Sequence, residues 1–316
     1  MIKNRRALIV GIKSTTLSNN EKIFLNKYKP WGVILFSRNI KDLKQTKKLT
    51  SDIRLIFKDK KYPILIDQEG GRVNRLNNLI EASVFTAEYF GNLYKKNRKI
   101  FHIYYKVYIR QISYLLNELG ININTVPVLD VRKSRSSNII GDRSFSAIPK
   151  NVSIIGDFCI ENFNKEKIGT VLKHIPGHGL AKVDSHKKTP VIKHKKKYLF
   201  KNDFSTFKKK KSLLAMTAHI IYKDIDQINT ATHSSKIIEI IRKKIGFKNI
   251  IVSDDISMKA LKDSIKINTI KAISAGCNLI LHCNGNHSEM RIVAENTPLV
   301  DNLVIKKTSQ FYNFLS

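Results

Sequence analysis

Carboxylates, imidazoles and guanidinium groups concentrate in a few short runs of this 316-residue chain. Asp254 and Asp255 end the apolar run 250–253. Neighbouring side chains of a strand point to opposite faces, so one carboxylate can enter a cavity while the other turns to a backbone amide. Helix capping is the competing use of such a pair. Lys173 and His174 close another apolar run and lead into Ile175-Pro176-Gly177-His178-Gly179, whose proline and glycines allow a sharply folded loop. That loop continues to Asp184-Ser185-His186. An aspartate two residues before a histidine can accept from its imidazole, fix its tautomer and raise its proton affinity, as a general acid–base requires. An exposed polar loop is the alternative. Asp67, Arg72 and Arg75 flank Gly70-Gly71, where backbone can approach a ligand closely, and Arg143 adds another forked donor. A structural Arg–Asp network fits that spacing equally well. His174, His178, Asp184, His186 and His219 could ligate zinc, but neither HxH nor HExxH spacing occurs. The phosphate-binding patterns GxxxxGK[ST] and GxGxxG are absent too. No metal and no cofactor is expected.

Such groups act only if strands bring them together. Short β-branched runs at 7–10, 32–36, 64–67, 123–126, 169–173, 213–217, 250–253 and 278–281 read as strands buried on both faces, as in a parallel sheet. Helical stripes separate them. Ile40, Leu43, Leu49, Ile53 and Ile56 form one; Tyr105, Ile109, Ile112, Leu116 and Leu119 form another, ended by Gly120. Ile237, Ile238, Ile241 and Ile245 form a third, with Ser234 to cap its start and Gly246 its end. Eight strands alternating with helices predict an α/β fold, a single (β/α)8 TIM-type barrel over 1–316; a doubly wound open sheet is the alternative. In a barrel, chemistry sits just past the strands' C-terminal ends. Asp67, Asp130, Lys173-His174, His219, Asp254-Asp255 and His282 all fall there.

Composition bounds the rest. At 42% hydrophobic residues the chain can bury a real core. No apolar run approaches the ~18 residues that span a bilayer. The N-terminus lacks a secretory pattern, so a cytoplasmic protein without a membrane partner is expected. Cys159, Cys277 and Cys283 are an odd number in apolar surroundings, which predicts buried free thiols. Lys and Arg number 57 against 25 Asp and Glu, a net charge of +32. The lysine runs 195–197 and 208–211 carry no interleaved aromatics. The basic excess is therefore read as solvated lysine, attracting polyanions non-specifically at low salt, with no specific nucleic-acid partner.

Seven segments occur in a telling order: IDQEGGRVNRL (66–76), PVLDV (127–131), IGDRSF (140–145), KHIPGHG (173–179), DSH (184–186), MTAHIIY (216–222) and SDDISM (253–258), with GVILFSRN (32–39) and AGCNLILHCN (275–284) extending the set. Together they resemble glycoside hydrolase family 3, and within it the single-barrel β-N-acetylglucosaminidases of bacterial peptidoglycan recycling. The resemblance implies a retaining exo-glycosidase with a covalent glycosyl-enzyme intermediate. It assigns Asp254 as nucleophile, His186 as acid–base and Asp184 as the partner of His186. It assigns Asp67, Arg75, Arg143, Lys173 and His174 to binding the terminal N-acetylglucosamine. The implied substrate is a small muropeptide or amino-sugar disaccharide, N-acetylglucosamine joined to 1,6-anhydro-N-acetylmuramic acid, taken by a monomer. A barrel that binds sugar or polyanions without catalysis is the alternative.

Overall fold

The computed structural model describes residues 2–133, 139–183, 185 and 188–316. Among the described residues ten strands appear in chain order: β1 (Arg6–Gly11), β2 (Pro30–Leu35), β3 (Ile64–Ile66), β4 (Ile123–Asn124), β5 (Gly169–Ile175), β6 (Val191–Ile192), β7 (Leu214–Thr217), β8 (Ile221–Tyr222), β9 (Ile250–Asp255) and β10 (Leu279–His282). Eight of them close a parallel barrel in the order β1-β2-β3-β4-β5-β7-β9-β10. Val10 is in register with Val33 on one side and His282 on the other, which closes the ring and excludes an open sheet. β6 and β8 pair outside it.

Helices connect the strands: α1 (Asn19–Tyr28), α2 (Leu43–Phe57), α3 (Ala87–Lys96), α4 (Arg98–Glu118), α5 (Pro149–Lys165), α6 (Lys196–Lys201), α7 (Ser235–Ile240), α8 (Ile265–Ala275), α9 (His287–Glu295) and α10 (Asn302–Leu315). The expected caps form. The Ser234 hydroxyl accepts from the Ile237 amide, and Gly246 ends the π-helical turn Ile241–Ile245 at φ +82°, where glycine carries no Cβ penalty. In α2 the stripe differs from expectation. Leu43 is exposed, while Thr46 and Thr50 are buried. Their hydroxyls donate to the Asp42 and Leu119 carbonyls at 2.8 Å, so burial leaves neither unpaired. β4 is shorter than the run 123–126 because Pro127 has no amide to donate. The ladder resumes beyond it, where Leu129 N donates to the Lys173 carbonyl at 2.8 Å.

Alternation along the strands builds two apolar layers. Ala7, Ile9, Leu65, Ile123, Val171, Leu214, Met216, Ile250, Val252, Leu279 and Leu281 fill the barrel. Leu8, Val10, Ile64, Ile66, Leu172, Ala215, Ile251 and Ile280 face the helices. α10 plugs the end at which the strands begin, with Val304 and Phe311 joining the interior cluster. There the Trp31 indole donates to Thr308 Oγ1 at 2.8 Å, satisfying its buried N–H. That plug leaves one mouth, at the C-terminal ends of the strands.

Two expectations change here. Cys159 and Cys277 are buried free thiols, but Cys283 is only partly covered, because it follows β10 at the mouth. Lys210, in a run read as solvated, is buried; its ammonium donates to Asp157 (2.5 Å), the Ser153 hydroxyl (2.8 Å) and the Ser153 carbonyl (3.0 Å).

Candidate active site

A cleft of about 200 Å³ opens at the mouth. Its walls come from the ends of most barrel strands. Asp67 follows β3, Thr125 follows β4, Lys173 and His174 lie in β5, and Asp254 and Asp255 end β9. Six of the eight residues named from sequence, Asp67, Arg75, Arg143, Lys173, His174 and Asp254, line this one cavity. The other two, Asp184 and His186, lie outside the described residues. Ser185 between them is described and belongs to the cleft wall.

The two carboxylates of β9 divide as alternation requires. Asp254 continues the inward series Ile250, Val252. Its Oδ1 accepts from the Asp255 amide at 2.8 Å. The Asp255 carboxylate turns back to the chain, accepting from the Ser257 amide (3.1 Å), the Ser257 hydroxyl (2.9 Å) and the Cys283 amide (3.2 Å). His219 fixes the strand end from behind. Its Nε2 donates to the Asp255 carbonyl at 3.0 Å, and its Nδ1 lies 2.7 Å from the Thr232 hydroxyl. Burial pushes the His219 pKa down, so the ring is neutral at pH 7 and both nitrogens are committed.

Opposite stands a buried charge network. The Lys173 ammonium, 1% exposed, meets Asp67 Oδ1, Glu69 Oε1 at 2.6 Å and Thr125 Oγ1 at 3.1 Å. Arg75 donates to Asp67 Oδ2 at 3.0 Å. The Arg143 fork grips both oxygens of Glu69, at 2.7 and 2.8 Å, the bidentate geometry that guanidinium and carboxylate share. Burial favours protonated Asp67, but the Lys173 and Arg75 charges outweigh it and hold the carboxyl far below the usual range. Glu69 is depressed likewise, burial being outweighed by Arg143 and Lys173. Thus Arg143 and Lys173 spend most of their donors on carboxylates, and the rest go to the Ile139 carbonyl (3.3 Å) and the Thr125 hydroxyl (3.1 Å). The described ion pairs of Lys173 go to Asp67 and Glu69, not to Asp254. Arg75 is different: its buried Nε has no hydrogen-bond partner among the described residues.

Sequence reasoning gave no role to Glu69 or Asp130. Asp130 is fully buried behind His174. It accepts from the His174 ring Nδ1 at 2.7 Å, the His174 amide at 3.3 Å and the His178 amide at 2.6 Å. Burial raises its proton affinity, yet His174 beside it prevails and keeps it ionised. With Nδ1–H held by Asp130, His174 presents Nε2 to the cleft. His178 behaves otherwise, pushed down to about 4 chiefly by burial. The signal for both carboxylates was present in the segments IDQEGGRVNRL and PVLDV, but a strand-end carboxylate alone does not reveal its partner.

Other expectations do not converge. Arg72 turns outward to Asp142 at 3.1 Å and to the Ile139 carbonyl at 2.6 Å. His282 is buried, its Nε2 lying 3.0 Å from Glu289 Oε2 rather than at the cleft. Among the described residues no group of three His, Cys, Asp or Glu side chains is placed to hold a metal ion.

Residues 7–310 match the family model described as glycosyl hydrolase family 3 N terminal domain. The chain belongs to glycosyl hydrolase family 3. It is a glycoside hydrolase. A relative named beta-hexosaminidase from Nitrosomonas eutropha is 33% identical over 290 residues, covering 88% of this chain and 80% of that protein. Another of the same name, from Psychromonas ingrahamii, is 30% identical over 315 residues, covering 97% and 89%. Among solved structures, NagZ from Neisseria gonorrhoeae in complex with N-trifluoroacetyl-D-glucosamine superposes with a TM-score of 0.87 at 26% identity, covering 99% of this chain and 90% of that one.

Proposed function

We propose that the protein is a retaining β-N-acetylhexosaminidase that removes a non-reducing terminal N-acetylglucosamine from small peptidoglycan fragments, with Asp254 as nucleophile and His186 as acid–base. One observation carries the reading: in a family 3 barrel, Asp254 ends a rigid strand on the inward face of a cleft whose far wall carries Asp67, Arg75, Lys173 and His174. A retaining mechanism needs a carboxylate beneath the anomeric carbon and a proton donor at the leaving oxygen. The nucleophile must be held closely, which a strand end braced by His219 provides. Asp67 accepts from sugar hydroxyls while Arg75 donates and His174 offers Nε2 beside it.

The proton donor arrives from the loop after β5. His186 protonates the leaving oxygen, then deprotonates the water that hydrolyses the glycosyl-enzyme, and Asp184 orients it. Ser185 supports this assignment. It sits in the cleft wall, and its carbonyl accepts from the Ala260 amide at 3.1 Å, on the β9 side of the mouth. The cleft's size suits one sugar ring, which favours release of a single terminal unit. The sugar named in the Neisseria structure supports an N-acylated glucosamine there.

The test is hydrolysis of an aryl N-acetyl-β-glucosaminide and of N-acetylglucosaminyl-1,6-anhydro-N-acetylmuramic acid. Asp254→Ala is expected to lose about 10³-fold or more in kcat on both. His186→Ala loses about 10²–10⁴-fold on the disaccharide and less on an aryl substrate, whose phenolate leaves with little protonation. Full activity of Asp254→Ala would sink the assignment.

A further inference from the structure

α4 is apolar on two faces. Phe101, Tyr105, Ile109, Ile112 and Leu116 are buried against the body of the protein. On the opposite side Ile100, Ile103, Tyr104, Val107 and Tyr114 face solvent, with Ile103 54%, Val107 56% and Tyr114 66% exposed. At 3.6 residues per turn these five share one face; Ile100, Ile103, Tyr104 and Val107 run unbroken over 7 steps of ~1.5 Å, ~10 Å, and exposed Arg110 and Gln111 lie between them and Tyr114. Soluble proteins scatter exposed apolar side chains singly, whereas a continuous stripe marks a contact surface. Lys99 and Lys106 are exposed along one edge of the stripe, Arg110 on that edge is paired with Glu166 at 3.0 Å, and Lys95 and Lys96 precede it at the end of α3. Glu118 is the single acidic residue of α4, at its far end.

Charge selects the occupant. A twofold contact would set the same patch against itself, basic edge included, in a chain of net charge +32. A fluid anionic surface suits it. Aliphatic side chains enter the acyl boundary, tyrosines sit with their hydroxyls at the headgroups, and the lysines meet the phosphates. We propose that the outer face of α4 is a docking surface for an anionic lipid bilayer, on which the protein lies peripherally. The expectation of no membrane partner rested on the lack of a spanning segment. Among the described residues no helix is long and apolar enough to cross a membrane, but a helix lying on the surface needs no such length.

The test is co-sedimentation with vesicles of phosphatidylglycerol mixed into phosphatidylcholine, and of phosphatidylcholine alone, at about 0.15 M salt. The wild-type protein is expected to partition onto the anionic vesicles only. The double variant Ile103→Ser, Val107→Ser should bind them about tenfold less, or weaker still, while its urea midpoint and aryl-glycoside hydrolysis stay unchanged. Equal binding by the two proteins would mean bulk charge alone is at work and would overturn the proposal. So would failure of the wild-type protein to bind. Sedimentation velocity adds a third outcome: a wild-type dimer turned into a monomer by the double variant would assign the stripe to a second copy and overturn it as well.

Discussion

Asp130 shows how much of the site lies behind its lining. The carboxylate is out of reach of water, yet it holds the amides of His174 and His178 and the Nδ1 of His174. Asparagine there keeps one acceptor but sets an amide N–H against those donors. Losing hydrogen bonds to a buried charge costs about 1.5–3 kcal/mol each. Asp130→Asn is therefore expected to lower kcat/KM on an aryl N-acetyl-β-glucosaminide by about 10- to 100-fold, with circular dichroism unchanged. Wild-type kinetics would show that His174 does not depend on Asp130. At this scale the sequence was informative about type and place and silent about pairing. Lys173 read as a donor at a strand end and Arg143 as a further forked donor, but that their donors go to Glu69 follows from the meeting of β3, β5 and the segment before α5, distant stretches of chain.

Elements decide how firmly those residues are held. α3 packs on the short segment that carries Arg143, and Gly91 makes the closest approach. A Cβ added there would lie 1.6 Å from the Phe145 carbonyl oxygen, which is backbone and cannot swing aside. Alanine in a helix interior normally gains about 1 kcal/mol over glycine. Here the overlap outweighs that gain and displaces the segment 143–145 that carries Arg143. Gly91→Ala is expected to raise KM more than it lowers kcat and to reduce the urea midpoint. An unchanged KM would show that the segment yields without moving Arg143. The long β5 loop is anchored in the same manner: Tyr222 of β8 donates to the Gly177 carbonyl at 2.5 Å, and β6 pairs with β8 beyond the loop.

Over the whole molecule, buried titratable groups set opposing pH dependences. Asp203 is buried against Gly177, and its oxygens have no partner beyond its own amide among the described residues. Burial pushes its pKa up to about 7; Asp130 adds to this and Lys133 opposes it. The folded protein thus binds this proton more tightly than the unfolded chain, whose aspartates titrate near ~3.9. The resulting stability is present in acid and is lost as pH rises through about 7. His178 and His233, both pushed down to about 4 mainly by burial, act the other way. Their contribution is present above the unfolded value of ~6.5 and is lost as pH falls toward about 4. Asp203→Asn removes only the first effect. The variant is expected to be more stable than the wild type at pH 8, by on the order of 4 kcal/mol, and the difference should shrink as pH falls below about 7 and vanish only near pH ~4 in urea unfolding. A difference independent of pH would show that Asp203 does not titrate in this range.

The sequence alone determined the eight barrel strands, the caps of the Ile237–Ile245 stripe and the identity of the residues at the mouth, because alternation, helical period and strand-end polarity are local properties of the chain. Ring closure, the plug formed by α10, the burial of Lys210, the commitment of Arg143 to Glu69 and the exposure of the α4 stripe were decided by the tertiary structure. Each depends on which distant segment arrives next to a residue. A lysine or isoleucine carries the same local signal whether it meets a carboxylate, a core or open water.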